Sequence, residues 1–263
     1  MTGIIFRLWR WRRLVGELAS RDFKARYAGS MLGAAWSVLE PLVQFTLYLT
    51  VFGFFLGMRL EGKTGVGNFG LYLISGLVPF AAFQESVMRA TGLVRERAQL
   101  VRHVNVPLEV LLAATLLGIF ARHGIALVLV TAVALAAGSL SVAGLPWLAG
   151  GVLVLVAGVF GLALALMVAG AYLPDLVQIV ATGTMVLFFM TPIVYPASLV
   201  RGAFSRLLLL NPLWGTLSCF RTALVGTPPD FLPFAIAAGW AVALVLIGSV
   251  VFEARWRQLP DLA

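Results

Sequence analysis

Residues 21–42 read RDFKARYAGSMLGAAWSVLEPL. Arg21, Lys24 and Arg26 give way to a stretch with no charge until Glu40. A basic segment that turns apolar within a few residues marks the point where a chain enters a bilayer. Positive charge beside a span marks the cytoplasmic side. The junction therefore sets both the environment of the fold and the side from which it starts.

The rest of the chain agrees with that reading. Of 263 residues, 61% are hydrophobic and only 11% charged, with a mean hydropathy of +0.99. A soluble domain carries roughly 25% charged residues, and a bilayer span needs about 20 apolar ones. The composition predicts an all-α polytopic membrane protein with one embedded domain. The net charge of +8 does not point to nucleic acid. Thirteen of the 19 Lys and Arg residues lie in 7–26, 89–102 and 255–257, beside apolar spans, where they face the cytoplasm and anionic membrane lipids. Cys219 is the single cysteine, so no intrachain disulfide forms. The first 30 residues have no compact apolar run with a cleavage site, so no signal peptide is expected.

Residues 1–30 form a cytoplasmic amphipathic interface segment. Over 7–26, Leu8, Trp11, Leu14, Val15 and Leu18 recur at helical spacing, while Arg10, Arg13, Glu17, Arg21 and Lys24 take the opposite face. Such a helix lies in the headgroup plane, with Trp9, Trp11, Arg10 and Arg13 as interfacial anchors. A transmembrane domain follows over 31–255, with six spans expected near 31–57, 69–88, 108–138, 147–171, 176–195 and 231–252. Residues 256–263 form a cytoplasmic tail. Glu40-Pro41 predicts a kink in the first span. Residues 196–230 carry Arg206, Arg221 and four prolines, too interrupted for a simple span. Arg255 and Arg257 place the C-terminus on the same cytoplasmic side as the N-terminus, so an even number of spans is favoured. Residues 196–230 are then a re-entrant or interfacial helix pair on the outer face, between spans 5 and 6.

Several motifs invite chemistry. Residues 57–64, GMRLEGKT, match the P-loop pattern, but a P-loop joins a strand to a helix in an α/β domain. Here it lies between two apolar spans, so a glycine-rich loop is expected. Arg122 and His123 fall inside an apolar helix, where an arginine costs about 2.5–3.5 kcal/mol on insertion scales. Arg122 either lines a conduit or pairs with a carboxylate such as Glu40 or Glu85. Phe45, Tyr48 and Phe52 share one face of span 1, and Phe188, Phe189 and Tyr195 cluster near the end of span 5. Aromatic faces can stack on sugar rings, so these residues together with Arg122 are candidates for a substrate conduit; packing is the plainer role. Residues 93–104 read as a short amphipathic cytoplasmic helix whose charged face is Arg95, Glu96, Arg97, Arg102 and His103. It suits docking into a soluble partner. Two histidines and one cysteine offer no metal-ligand spacing and no catalytic constellation, so catalytic, cofactor and metal sites are not expected.

Four segments taken together resemble the membrane subunit of ABC-2 type exporters, in the branch that moves polysaccharides. They are RDFKARY at 21–27 with Leu32 to Trp36 and Pro41; Arg97 with Val104-Asn105-Val106-Pro107; Tyr172-Leu-Pro-Asp175 leading to Phe188 through Pro196; and Asn211-Pro212 with Phe220-Arg221. The resemblance covers roughly residues 18–226. It implies a homodimer in the bacterial inner membrane, with two copies of a cytoplasmic ABC ATPase that carry ATP and Mg. It implies that the N-terminal helix and the 93–104 helix contact those ATPases. The implied substrate is a lipid-linked polysaccharide: O-antigen, placing the chain in lipopolysaccharide biosynthesis, or else capsule or teichoic acid; small-molecule export uses the same architecture. An ion-coupled transporter or channel built on Glu40, Glu85 and Arg122 is the alternative from the residues alone. A membrane-embedded transferase would need paired catalytic groups that the sequence does not offer.

Overall fold

The computed structural model describes residues 2–57, 66–99, 106–200 and 202–262. Most of these residues are helical, with no strand among them. Two short helices, α1 (Thr2–Arg10) and α2 (Arg12–Tyr27), precede α3 (Trp36–Tyr48), which a 3-10 turn at Gly33–Ala35 introduces and a π-helical stretch at Leu49–Phe55 extends. Then follow α4 (Val66–Glu96), α5 (Leu108–Ala136), α6 (Leu145–Tyr172), α7 (Leu176–Met190), α8 (Ala203–Leu210), α9 (Pro212–Leu224) and α10 (Phe231–Arg255), with a 3-10 tail at Trp256–Leu262.

Five of these segments are long and apolar enough to cross a membrane: Gly33–Phe55, Phe69–Glu96, Leu108–Ala136, Val142–Tyr172 and Phe231–Leu259. α7 is apolar but only 15 residues long, about 22 Å at 1.5 Å per residue. The predicted fifth span at 176–195 thus loses its last residues to an irregular stretch that begins at Thr191.

α4 and α6 form the centre. α6 packs on α10, α4 and α9, while α5 lies against α4 and carries α2 on its other side. In an 18-residue apolar stretch of α4, 67% of residues are buried; in the first span the figure is 6%. α3 and α7 therefore lie at the periphery, with Leu42, Val43 and Leu47 exposed on one and Ile179, Met185 and Val186 on the other. α6 and α10 approach at two glycines: a Cβ on Gly248 would overlap the Gly161 carbonyl oxygen. Small residues that let backbones meet are the common device of helix packing in lipid.

Helix ends follow local chemistry. Asn211 caps α9 by accepting a hydrogen bond from the Leu213 N–H at 3.0 Å, with Pro212 in the first turn. Asp230 caps α10 in the same way through Leu232 N–H at 3.2 Å. Gly138, at φ +65°, ends α5 in the left-handed region that favours glycine. Beyond it the Ser139 hydroxyl donates to the Leu224 carbonyl and the Ser141 N–H to the Ala223 carbonyl, which stitches the end of α5 to the end of α9.

Four expectations need correction. The N-terminal segment is two helices broken at Trp11, rather than one helix over 7–26. α3 runs through Pro41 as regular helix, and its geometry changes instead at Leu49. α4 continues to Glu96, so Arg95 and Glu96 close the second span and do not open a separate helix at residue 93. α6 starts at Leu145, two residues before the expected Trp147. Residues 58–64 of the P-loop pattern, and Arg102 and His103, lie outside the described residues.

Candidate functional site

Four ion pairs among the described residues fasten the N-terminal helices to the bundle. Arg7 of α1 pairs with Glu109, a buried carboxylate in the first turn of α5, and also reaches Glu253 of α10 at 3.2 Å. Asp22 of α2 pairs with Arg97, just past the end of α4. Arg26 of α2 donates to Glu85 Oε1 at 3.0 Å.

Glu85, on α4, is the densest node. Its second oxygen accepts from Arg122 of α5 and lies 3.1 Å from His123 Nε2. Of the two candidate partners for Arg122, Glu85 is the one in contact. One carboxylate therefore joins α2, α4 and α5. The Arg122 side chain is 12% exposed, and a buried guanidinium with an ionic partner avoids the penalty of an unpaired charge.

The node separates two cavities. A cleft of about 260 Å³ opens beside α2, lined by Asp22, Arg26, Arg89, Glu96, Arg97 and Arg122. On the other side, a groove of about 400 Å³ runs between α3, α4 and α5, and Arg26, Glu85 and Arg122 line it as well.

The structure divides the aromatic candidates. Tyr48 lines the groove. Phe52 stacks toward Phe69 at 6.3 Å, and Phe69 toward Tyr72 at 6.0 Å. Phe45 and Phe188 also pack against the core, Phe188 edge-on to Phe80 at 5.2 Å. Phe45, Phe52 and Phe188 are thus partly buried against the core. Phe189 and Tyr195 line a third cavity of about 670 Å³ with Leu199, Leu207 and Asn211, and the Tyr195 hydroxyl donates to the Phe189 carbonyl at 2.8 Å. Arg95 donates to the Ala171 carbonyl at 3.0 Å, so both Arg95 and Arg97 make contacts within the chain. Trp9 is exposed and stacks under the Arg12 guanidinium at 4.7 Å. Arg10 and Arg13 are exposed and Trp11 half-buried.

Arg221 is the residue whose place the sequence reading missed. Grouped there with the charges of the outer segments, it is in fact 2% exposed. It donates to the Pro192 carbonyl at 2.6 Å and lies 3.7 Å over the Tyr72 ring, with Trp214 at 5.7 Å. The Tyr72 hydroxyl donates to the Tyr195 carbonyl at 3.1 Å. A cation against carbonyls past a helix C-terminus and against aromatic faces is held without a carboxylate. The signal for burial was present: Arg221 is a lone charge within Cys219-Phe220-Arg221-Thr222-Ala223-Leu224, as Arg122 is within Leu116-Leu117-Gly118-Ile119-Phe120-Ala121-Arg122. Replacing Arg221 by methionine should leave the Pro192 carbonyl with only the longer hydrogen bond from the Tyr72 hydroxyl, at 3.4 Å, and cost about 1–3 kcal/mol. A detergent melting curve matching that of the parent would refute this role.

The family profile described as ABC-2 type transporter matches residues 13–225. The chain belongs to the ABC-2 type transporter family. Its relatives include the O-antigen export system permease protein RfbA of Myxococcus xanthus, 28% identical over 99% of each chain. RfbA of Klebsiella pneumoniae is 26% identical over 91% of each. The polysialic acid transport protein KpsM of Escherichia coli is 22% identical over 94% of this chain and 93% of its own. The ABC-2 match spans α2 through α9 and so contains the Glu85 node, both cavities beside it and the Arg221 contact. The apolar helices and the ABC-2 membership together make this a multi-pass membrane protein.

Proposed function

We propose that this chain is the permease subunit of an ATP-driven exporter that moves a lipid-linked polysaccharide, O-antigen first among the candidates, across the bacterial inner membrane. The observation that carries the reading is the end-to-end match to permeases named for O-antigen export. The matches to polysialic acid transport proteins keep capsule-type chains as the second reading. Two copies would form the pathway, through the exposed faces of α3 and α7, and two separate ATPase subunits would hold ATP and Mg beneath them. α7 with the stretch after it would make a sixth span, α8 and α9 a re-entrant pair at the outer face, and both termini would be cytoplasmic. α1 and α2 would lie amphipathically at the inner interface.

On this reading the Asp22–Arg97 pair links α2 to the end of α4 on the side where an ATPase would push. Arg97→Glu should lower export several-fold, and the charge swap Asp22→Arg with Arg97→Glu should restore most of it. Failure of the swap to rescue, with both proteins present at equal levels, would assign Arg97 to a contact outside this chain. The function itself is tested by deletion. Cells lacking the chain should lose surface polysaccharide and accumulate the lipid-linked precursor inside. Unchanged surface polysaccharide would end the reading.

A further inference from the structure

The groove between α3, α4 and α5 holds polar groups that the fold does not use. α3 turns Ser37, Glu40, Gln44 and Tyr48 into it at spacings of three and four residues, one stripe of the helix. Facing them are Gln84 and Glu85 of α4 with Arg122 and His123 of α5, and Leu77, Val78 and Ala81 supply an apolar wall. Much of this set is already committed. Glu85 is shared among Arg26, Arg122 and His123. Gln84 donates to Thr184 at 3.3 Å, and Ser37 to the Ala34 carbonyl at 2.7 Å. Glu40, Gln44 and the Tyr48 hydroxyl have no hydrogen bond or ion pair among the described residues.

Polar side chains within a membrane span are costly and mark functional sites by default. A carboxylate, a carboxamide and a phenol left uncommitted along one helix face call for a ligand rich in hydrogen-bonding groups. Glu40 only accepts, whereas Gln44 and Tyr48 both donate and accept. The stripe from Glu40 to Tyr48 is roughly 12 Å long at 1.5 Å per residue, an extended contact suited to a chain. The opposing wall is apolar, which suits the C–H face of a sugar ring. Charge narrows the class further. Arg26 and Arg122 are balanced by Glu40 and Glu85, so the groove carries no net charge to attract an anionic glycan and suits a neutral one.

We propose that this groove binds a neutral polyhydroxylated segment of the transported chain, with Glu40, Gln44 and Tyr48 as its recognition groups and the Glu85 node as one wall. The inference rests on the polysaccharide-export reading. The test places a photoreactive benzophenone amino acid at position 44 in cells that make the polysaccharide, with the neighbouring lipid-exposed position 43 as control. Irradiation should give a high-mass adduct at 44 and none at 43. Periodate, which cleaves vicinal diols, should collapse the adduct. The double variant Glu40→Leu, Gln44→Leu should lower export about tenfold with little shift in melting temperature, since neither side chain makes a hydrogen bond or ion pair among the described residues. An adduct at 44 that resists periodate, marking a lipid tail or a protein, overturns the groove. So does equal labelling at 43 and 44, or wild-type export by the double variant. If deletion of the chain abolishes surface polysaccharide and any of these results is found, the groove alone falls. If deletion leaves surface polysaccharide intact, the exporter reading falls and takes the groove with it.

Discussion

Replacing Glu85 by alanine is expected to destabilise the bundle by at most about 3–5 kcal/mol, the loss typical when one partner of a fully buried ion pair is removed, since Glu85 and Arg122 are half-buried. The carboxylate holds Arg26, Arg122 and His123 at once, so its removal strands the 12%-exposed Arg122 side chain beside an apolar wall. The expected result in detergent is a fall in melting temperature and a larger aggregated fraction on size exclusion. The companion variant decides the cause. Glu85→Leu combined with Arg122→Leu removes both charges, and such replacements are often neutral for stability. The double variant should therefore melt close to the parent while exporting poorly. If it melts as low as Glu85→Ala, the loss lies in packing and the ionic account of the node is wrong.

The second large effect is steric. Gly248→Val is expected to separate α6 from α10, because its Cβ would overlap the Gly161 carbonyl oxygen, a backbone atom rather than the end of a flexible side chain. Overpacking a core costs about 1–3 kcal/mol when side chains can adjust; here backbone must move, so the cost should lie at or above the top of that range. Gly239→Ala is the control on the same helix, since a Cβ there meets nothing within 4 Å. Expression and melting temperature should drop for the first variant and hold for the second. Equal behaviour would mean that the two helices do not cross at these glycines.

These two sites show what the sequence made legible and what it did not. Lone charges in apolar helices were visible by composition, and the cost of an unpaired arginine narrowed the partners of Arg122 to two carboxylates. The choice between Glu40 and Glu85 depends on how α3 and α4 are rotated against α5, which no periodicity in weakly amphipathic spans reports. The same blindness hid Gly161 and Gly248, whose meaning depends on which helices cross. Nor did periodicity report that Phe45, Phe52 and Phe188 pack against the core as partly buried side chains. Helix existence was legible from hydropathy and from turn residues such as Asn211-Pro212 and Tyr172-Leu-Pro-Asp175. Helix length was less so: the second span was expected to stop near residue 88, before Arg89, and Arg95 and Glu96 to belong to a separate helix, although α4 carries all three as regular helix to its end. Arg221 escaped because its partners, the Pro192 carbonyl and the Tyr72 ring, carry no charge to announce them.

The energy source is the most direct test of the whole account. Inverted membrane vesicles containing this chain and the proposed ATPase subunit would be loaded with radiolabelled lipid-linked glycan on the outer surface, which corresponds to the proposed cytoplasmic face. The label should become protected inside the vesicles on addition of ATP and Mg. Protection should persist when a protonophore collapses the ion gradient, and should vanish with a partner that binds ATP without hydrolysing it. Protection that requires an ion gradient and proceeds without ATP would contradict the account.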